Sequence, residues 1–295
     1  MELNAATLQG VYTALVTPFR DGEIDEDAFL ALIEAQAAAG VAGIVPVGTT
    51  GESPTLNQEE HLRLIELAAT GAKGRLQVIA GTGSNSTAEA IELSQGAERL
   101  GADGLLLVAP YYNKPTQEGL VAHFSAIADA VRIPIVLYSI PGRCGIEIAV
   151  ETVVKLARKK NIIGLKEAGG SVDRVSQLRQ ALPDSFVLLS GDDGLTVPFL
   201  SVGAAGVISV ASNLIPREMV ALVRAFREGR LAEAEQLHRR LYPLFRDLFV
   251  ETNPVPIKHA MALAGTMTGE LRLPLVPLSD GARAKLEKTL KAFSL

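Results

Sequence analysis

The sequence predicts an α/β fold: a (β/α)8 TIM barrel with a C-terminal helical extension. Three observations lead there. A strand-like run followed by a helix-like run recurs about every 25 to 30 residues, the spacing of βα units. Eight strand candidates occur, at 11–16, 43–47, 77–80, 104–108, 135–138, 162–166, 186–190 and 206–209. Most are continuous apolar runs without alternation, which suits parallel strands buried on both faces. A count of eight favours closure over a doubly wound sheet, the competing architecture.

Helical patterns fill the gaps. The pattern at 25–39 stops before Gly40, where a C-cap glycine belongs. The pattern at 57–69 opens with Asn57 and has Glu60 three residues on, a capping box. The pattern at 86–100 repeats this with Ser86 and Glu89 and ends at Gly101. A charge-free window, 194–216, is long enough to span a bilayer, but it holds two Pro, three Gly and several Ser, Thr and Asn. That composition reads as a short helix, a buried strand and a turn rather than a membrane helix. The eighth barrel helix is expected near 217–227. The barrel then covers 1–228, and 229–295 forms the extension, with helices near 231–249, 256–264 and 280–293.

Composition narrows the function. The 295 residues are 48% hydrophobic and 21% charged, too apolar for disorder. Lys and Arg total 28 against 33 Asp and Glu, a net charge of −5 without a basic cluster, so nucleic acid is not an expected partner. The single Cys excludes an intramolecular disulfide and a Cys-based zinc site, and makes the cytoplasm the expected compartment. Met1-Glu2-Leu3-Asn4 has no basic region followed by an apolar stretch, so no signal peptide is expected. His61, His123, His238 and His259 lack metal-ligand spacing. Gly81-Thr82-Gly83 lacks the third glycine of a dinucleotide fingerprint, because position 86 is Ser.

Active sites of such barrels lie at the C-terminal ends of the strands. Those ends carry Gly48-Thr49-Thr50-Gly51-Glu52-Ser53, Pro110-Tyr111-Tyr112-Asn113, Tyr138-Ser139-Ile140-Pro141-Gly142-Arg143, Lys166-Glu167 and Ser190-Gly191-Asp192-Asp193. Lys166 is the most informative. Strand alternation puts it on one face with Gly164 and Ile162, and Gly164 would leave room beside it. An amine desolvated there loses basicity; a fall from about 10.4 toward 7 takes roughly 4 to 5 kcal/mol. The neutral amine is a nucleophile that can form a Schiff base with a carbonyl. A strand-end lysine also serves as half of an ion pair, here with Glu167 or Asp192. Tyr138 could shuttle protons beside an amine, or simply pack. Thr49 and Thr50 offer hydroxyl and N–H groups to a carboxylate, or serve the turn. Arg143 is a bidentate carboxylate partner or a solvated surface residue. Asp192 and Asp193 read as solvated turn residues, and Cys144 as a small buried side chain.

Taken together, from Thr17-Pro18-Phe19 to Leu271-Arg272-Leu273-Pro274, these residues resemble the pyruvate-dependent class I aldolase family that includes dihydrodipicolinate synthase and N-acetylneuraminate lyase. The segments 48–53, 110–113, 138–143, 162–168 and 188–193 look most like the synthase members. The resemblance implies that Lys166 forms a Schiff base with pyruvate and that Thr49 and Thr50 hold the pyruvate carboxylate. It implies a proton relay of Tyr138, Thr49 and Tyr112, with Tyr112 supplied by a neighbouring subunit. Arg143 would bind the carboxylate of aspartate β-semialdehyde, and backbone near Gly191 and Ile208 would line the pocket. No metal or organic cofactor is implied. The product would feed diaminopimelate and lysine synthesis, and the assembly would be a homotetramer built as a dimer of dimers.

The chain departs from the synthase pattern twice: Ser139 stands where Asn is usual, and Cys144 where Thr is usual. These keep open another pyruvate aldolase acting on a sugar acid or hydroxy-oxo acid. A catalytically silent protein that binds pyruvate or lysine is the third reading. Lysine-inhibited members bind lysine at a dimer interface, and the matching positions here are Ser53, His61, Asn85, Glu89 and Tyr111. Weak to moderate inhibition by lysine is the expectation. Asn85 and Glu89 also suit a helix start.

Overall fold

A computed structural model describes residues 2–293 and 295. Strand β1 (Gly10–Ala14) precedes a hairpin of β2 (Phe19–Arg20) and β3 (Glu23–Ile24) and helix α1 (Glu26–Ala39). There follow β4 (Gly43–Val45), α2 (Gln58–Ala72), β5 (Gln77–Gly81), α3 (Thr87–Arg99), β6 (Gly104–Val108) and α4 (Gln117–Ala130). Next come β7 (Ile135–Ser139), α5 (Pro141–Cys144), α6 (Val150–Leu156), β8 (Ile162–Glu167), α7 (Val172–Ala181), β9 (Val187–Ser190), α8 (Thr196–Ser201), β10 (Gly206–Ser209) and α9 (Pro216–Arg227). The chain ends with α10 (Leu231–Asp247), α11 (Val255–Leu263) and α12 (Asp280–Ala292).

All eight expected strands are present, and their order β1-β10-β9-β8-β7-β6-β5-β4 closes on itself. Pairing is parallel throughout, including the seams β1–β10 and β1–β4. The doubly wound alternative is therefore wrong. No helix among the described residues is long and apolar enough to cross a membrane. The 194–216 window holds α8, the buried strand β10 and a turn at 211–213, as expected.

Several boundaries shift for identifiable reasons. β1 stops at Ala14, because the Val16 N–H turns to Asn213 Oδ1 at 3.2 Å. β4 stops at Val45, because Pro46 has no N–H for the ladder and Val47 has φ +50°. The Asn57–Glu60 capping box forms in both directions. The Ser86–Glu89 box forms only in part. Ser86 caps the Glu89 N–H, but the Glu89 carboxylate accepts from the Ser84 hydroxyl instead of reaching back. The hairpin at 19–24 was not expected, although Asp21-Gly22, both at positive φ, is a recognised hairpin turn.

Two apolar layers follow from strand alternation. Tyr12, Val45, Ile79, Leu106, Val136, Leu189 and Ile208 fill the barrel together with Leu3 and Leu8 from the N-terminal segment. A larger layer lies between strands and helices and runs without a break into the extension through Leu241, Phe245, Ile257 and Met261. The face expected for Lys166 needs one correction. Register slips where β7 meets β8: Ile135 pairs with Ile162, but Val136 pairs with Gly164. Ile162 consequently belongs to the outer layer, and Ile163 packs on the inner one. Such a bulge flips faces on one side of the slip only.

Candidate active site

The C-terminal mouth of the barrel holds a cavity of about 260 Å³. Thr49, Thr50, Tyr138, Arg143, Lys166 and Gly191 all line it, from the ends of four strands, β4, β7, β8 and β9. That volume suits a few-carbon acid rather than a large ligand.

Lys166 and Tyr138 are register partners on β8 and β7. The Lys166 Nζ lies 4.1 Å from the centroid of the Tyr138 ring, and both residues are buried. Burial disfavours the ammonium and pushes the Lys166 amine down to about 7; Asp193 opposes this and the Arg143 cation adds to it. Burial likewise pushes the Tyr138 phenol up, partly offset by the Arg143 cation and the Thr49 hydroxyl. Neither expected ion partner takes the amine. Glu167 points to the other side and pairs with Arg174 at 3.0 Å, while Asp192 caps the Gly194 N–H.

Room for the lysine comes from Gly191, not Gly164. A Cβ on Gly191 would lie 3.0 Å from the Lys166 Cε and 2.7 Å from the Ala168 Cβ. A Cβ on Gly164 would meet the Val187 carbonyl and Leu8, deeper in the barrel. Ile208 also differs from expectation. It is fully buried in the inner layer, and Val210 provides the wall at that strand end.

Two site residues were not anticipated. Asn253 donates from Nδ2 to Thr50 Oγ1 at 2.9 Å, and its backbone carbonyl accepts from Arg143 at 3.0 Å. It thus ties together two groups suited to carboxylates. Asp193, read as a solvated turn acid, is buried. Its Oδ2 accepts from the Val210 and Ala211 N–H groups, and burial pushes the carboxyl up to about 6. Only Asp192 is exposed. The partners of Asp193 and Asn253 are distant in sequence, so no local pattern marks them.

Ser139 stays off the cavity, whereas Cys144 forms part of its wall. Ser139 is fully buried and does not line the cavity; its Oγ accepts from the Ile148 N–H at 3.4 Å. Cys144 touches the wall, but its Sγ donates to the Ala109 carbonyl at 3.2 Å, and burial raises the thiol to about 11.

Tyr112 does not line the cavity. It is 89% exposed and has φ +71°. The five positions matched to a lysine site gather around the β5 end and the start of α3. His61 Nε2 bonds the Gly81 carbonyl at 2.9 Å, and Asn85 donates to the Tyr111 carbonyl at 3.1 Å. Ser53 and Tyr111 line the cavity itself, and Glu89 is exposed near Ser84.

A family model described as the dihydrodipicolinate synthetase family matches residues 7–293. The chain belongs to that family. A 4-hydroxy-tetrahydrodipicolinate synthase of Endomicrobium trichonymphae is 55% identical over 287 residues, 97% of this chain and 98% of the relative. One of Pelobacter propionicus is 52% identical over 97% of this chain and 99% of the relative. The solved synthase of Methylacidiphilum fumariolicum SolV superposes with a TM-score of 0.96 at 60% identity, covering 97% of this chain and 96% of that one. A synthase from Cyanidioschyzon merolae, solved with lysine bound, gives a TM-score of 0.95 at 44% identity, covering 98% and 99%. Dihydrodipicolinate synthetase family membership therefore covers the barrel and its extension alike.

Proposed function

We propose that the chain catalyses the 4-hydroxy-tetrahydrodipicolinate synthase reaction, a lyase-type condensation of pyruvate with L-aspartate β-semialdehyde in the diaminopimelate and lysine pathway. The observation that carries the chemistry is a lysine amine at a strand end, buried against Tyr138 and pushed down to about 7. The curated relatives supply the choice of reaction.

The steps follow from the residues at the mouth. The neutral Lys166 amine attacks the keto carbon of pyruvate; loss of water gives the imine. The Thr49 and Thr50 hydroxyl and N–H groups hold the carboxylate. The imine loses a methyl proton to become an enamine, whose carbon attacks the aldehyde. Arg143 holds the carboxylate of the aldehyde substrate. The substrate amine then adds to the imine carbon and expels Lys166, closing the ring. Tyr138 carries protons between these steps, with Thr49 and a Tyr112 reaching in from a neighbouring subunit. The buried phenol stays protonated until a base approaches, which suits it to give a proton first. The working assembly is a homotetramer of two dimers, and lysine is an effector at the Ser53, His61, Asn85, Glu89 and Tyr111 positions.

Borohydride reduction in the presence of pyruvate tests the nucleophile, and a coupled reductase assay with aspartate β-semialdehyde tests the substrate. The Lys166→Ala variant should lose all covalent pyruvate. Persistent labelling of that variant refutes the assignment of Lys166. Labelling of the unmodified chain without turnover of the aldehyde moves the reading to another pyruvate aldolase.

A further inference from the structure

Behind the 48–52 loop lies a set of buried charges that take no part in the chemistry at Lys166. Lys258, on α11, and Glu52, in the loop, are both fully enclosed, and Nζ lies 2.6 Å from Glu52 Oε1. The same ammonium donates to the Thr17 carbonyl at 2.9 Å and sits 4.4 Å from the centroid of the Phe19 ring. The other Glu52 oxygen accepts from the Arg272 N–H at 3.1 Å. The Arg272 guanidinium in turn pairs with Glu60 at 2.6 Å.

Two of these contacts, from Lys258 and from the Arg272 N–H, end on Glu52 in the loop that carries Thr49 and Thr50. The Thr17 hydroxyl donates to the Gly51 carbonyl at 2.7 Å, while its carbonyl is held by Lys258. The Glu52 N–H donates to the Thr49 carbonyl at 3.1 Å. Glu52 itself has φ +56°, a left-handed backbone that a side-chain-bearing residue adopts only when its surroundings hold it there. An enclosed ion pair contributes little stability over a packed apolar pair of the same size, since desolvation offsets the attraction. Direction is what distinguishes it: two hydrogen bonds accepted by one carboxylate fix Glu52 in a single place. Thr49 and Thr50 follow within three residues of chain.

We propose that Lys258 and Glu52 are positioning residues for substrate binding. The pair sets the height and orientation of the 48–52 loop, so that Thr49 and Thr50 meet the substrate carboxylate. The C-terminal extension thereby supplies part of the geometry of a site built on the barrel. This rests on the reading of that loop as the pyruvate-carboxylate site.

The test is half-saturation of borohydride trapping by pyruvate, measured with the full chain and no second substrate. The double variant Glu52→Gln/Lys258→Met removes both charges and leaves neither uncompensated. Its half-saturating pyruvate concentration should rise about tenfold, the scale of loss for a displaced orienting group, while trapping at saturation stays complete. Should that variant be insoluble, Glu52→Asp decides on the same readout. It keeps the charge, favours the left-handed backbone, and is one methylene short of reaching both partners. It should raise half-saturation severalfold. Unchanged half-saturation in the soluble variant overturns the positioning role alone. An unmodified chain that pyruvate and borohydride leave unlabelled overturns the carboxylate-loop reading, and this proposal with it.

Discussion

Tyr138 and Lys166 stand opposite each other on neighbouring parallel strands, with the lysine nitrogen 4.1 Å from the centroid of the tyrosine ring. The pairing fixes the amine against an aromatic face in a space that water barely enters. An ammonium can still be drawn to such a face, but burial acts more strongly here, and the amine is pushed down to about 7. Chemistry at neutral pH therefore needs no separate base to free the nucleophile.

The rate of pyruvate trapping should rise with pH and level off above about 7. Below that value the neutral amine falls about tenfold per pH unit. Initial trapping rates measured from about pH 5 to about pH 9 check this. A profile that keeps rising toward pH 10 would mean an ordinary, solvated lysine.

Replacing the phenol tests the proton-carrying role. The Tyr138→Phe variant keeps the ring over Lys166 and removes only the hydroxyl. Turnover should fall by about 10² to 10³, the usual worth of a positioned acid or base, while pyruvate still becomes trapped at long times. Full turnover in this variant places the proton traffic elsewhere.

The buried amine also weakens the fold. In the unfolded chain Lys166 titrates near its ordinary 10.5; in the fold it titrates at about 7. Between these values the unfolded chain holds more protons, so stability rises with pH across that window. Below pH 7 the penalty is complete, with an upper bound of about 5 kcal/mol. Lys166→Met should raise the thermal midpoint by several degrees at neutral pH, and the gain should shrink as pH approaches 10. Equal gains at both ends of the range would contradict the buried-amine account.

Lysine should inhibit weakly to moderately. Glu89 is the exposed carboxylate beside the Asn85–Tyr111 contact and is the group suited to the ligand ammonium. Glu89→Gln should then weaken inhibition about tenfold, the order expected for a lost charge-assisted contact, with little change in uninhibited turnover. A flat activity curve through millimolar lysine sinks the effector reading.

Tyr112 projects from the mouth at 89% exposure rather than into its own cavity. If it completes the site of a neighbour, activity should be confined to dimers and larger species. Sedimentation of enzyme at assay concentration checks this, and a fully active monomer contradicts it.

Much of the barrel was legible because continuous apolar runs and helix caps are local signals. Asn57 and Glu60 show this best, since both halves of their contact lie within one turn. Ser86 and Glu89 show the limit: Ser84, outside the pattern, captures the carboxylate. Lys166, Tyr138, Arg143 and the two threonines converge on one cavity as strand-end placement suggests. Asp193 and Asn253 could not be read in the same way. A pair of adjacent acids looks solvated until β10 is folded over one of them, and Asn253 finds Thr50 across 203 positions of chain. The face of Ile162 failed for a third reason, because one extra residue in the β7–β8 ladder reverses alternation.

The far end of the barrel bears on all of this. Leu3 and Leu8 sit inside it below Lys166, and Gln77, bonded to the Tyr12 hydroxyl at 2.5 Å, donates to Thr7 Oγ1 at 3.1 Å. The N-terminal segment is thus a stopper at the end of the barrel away from Lys166. A chain trimmed through Leu8 would admit solvent from beneath, and Lys166 would drift back toward the basicity of a surface lysine. Reactivity at the mouth is guarded from the floor, by residues that no substrate touches.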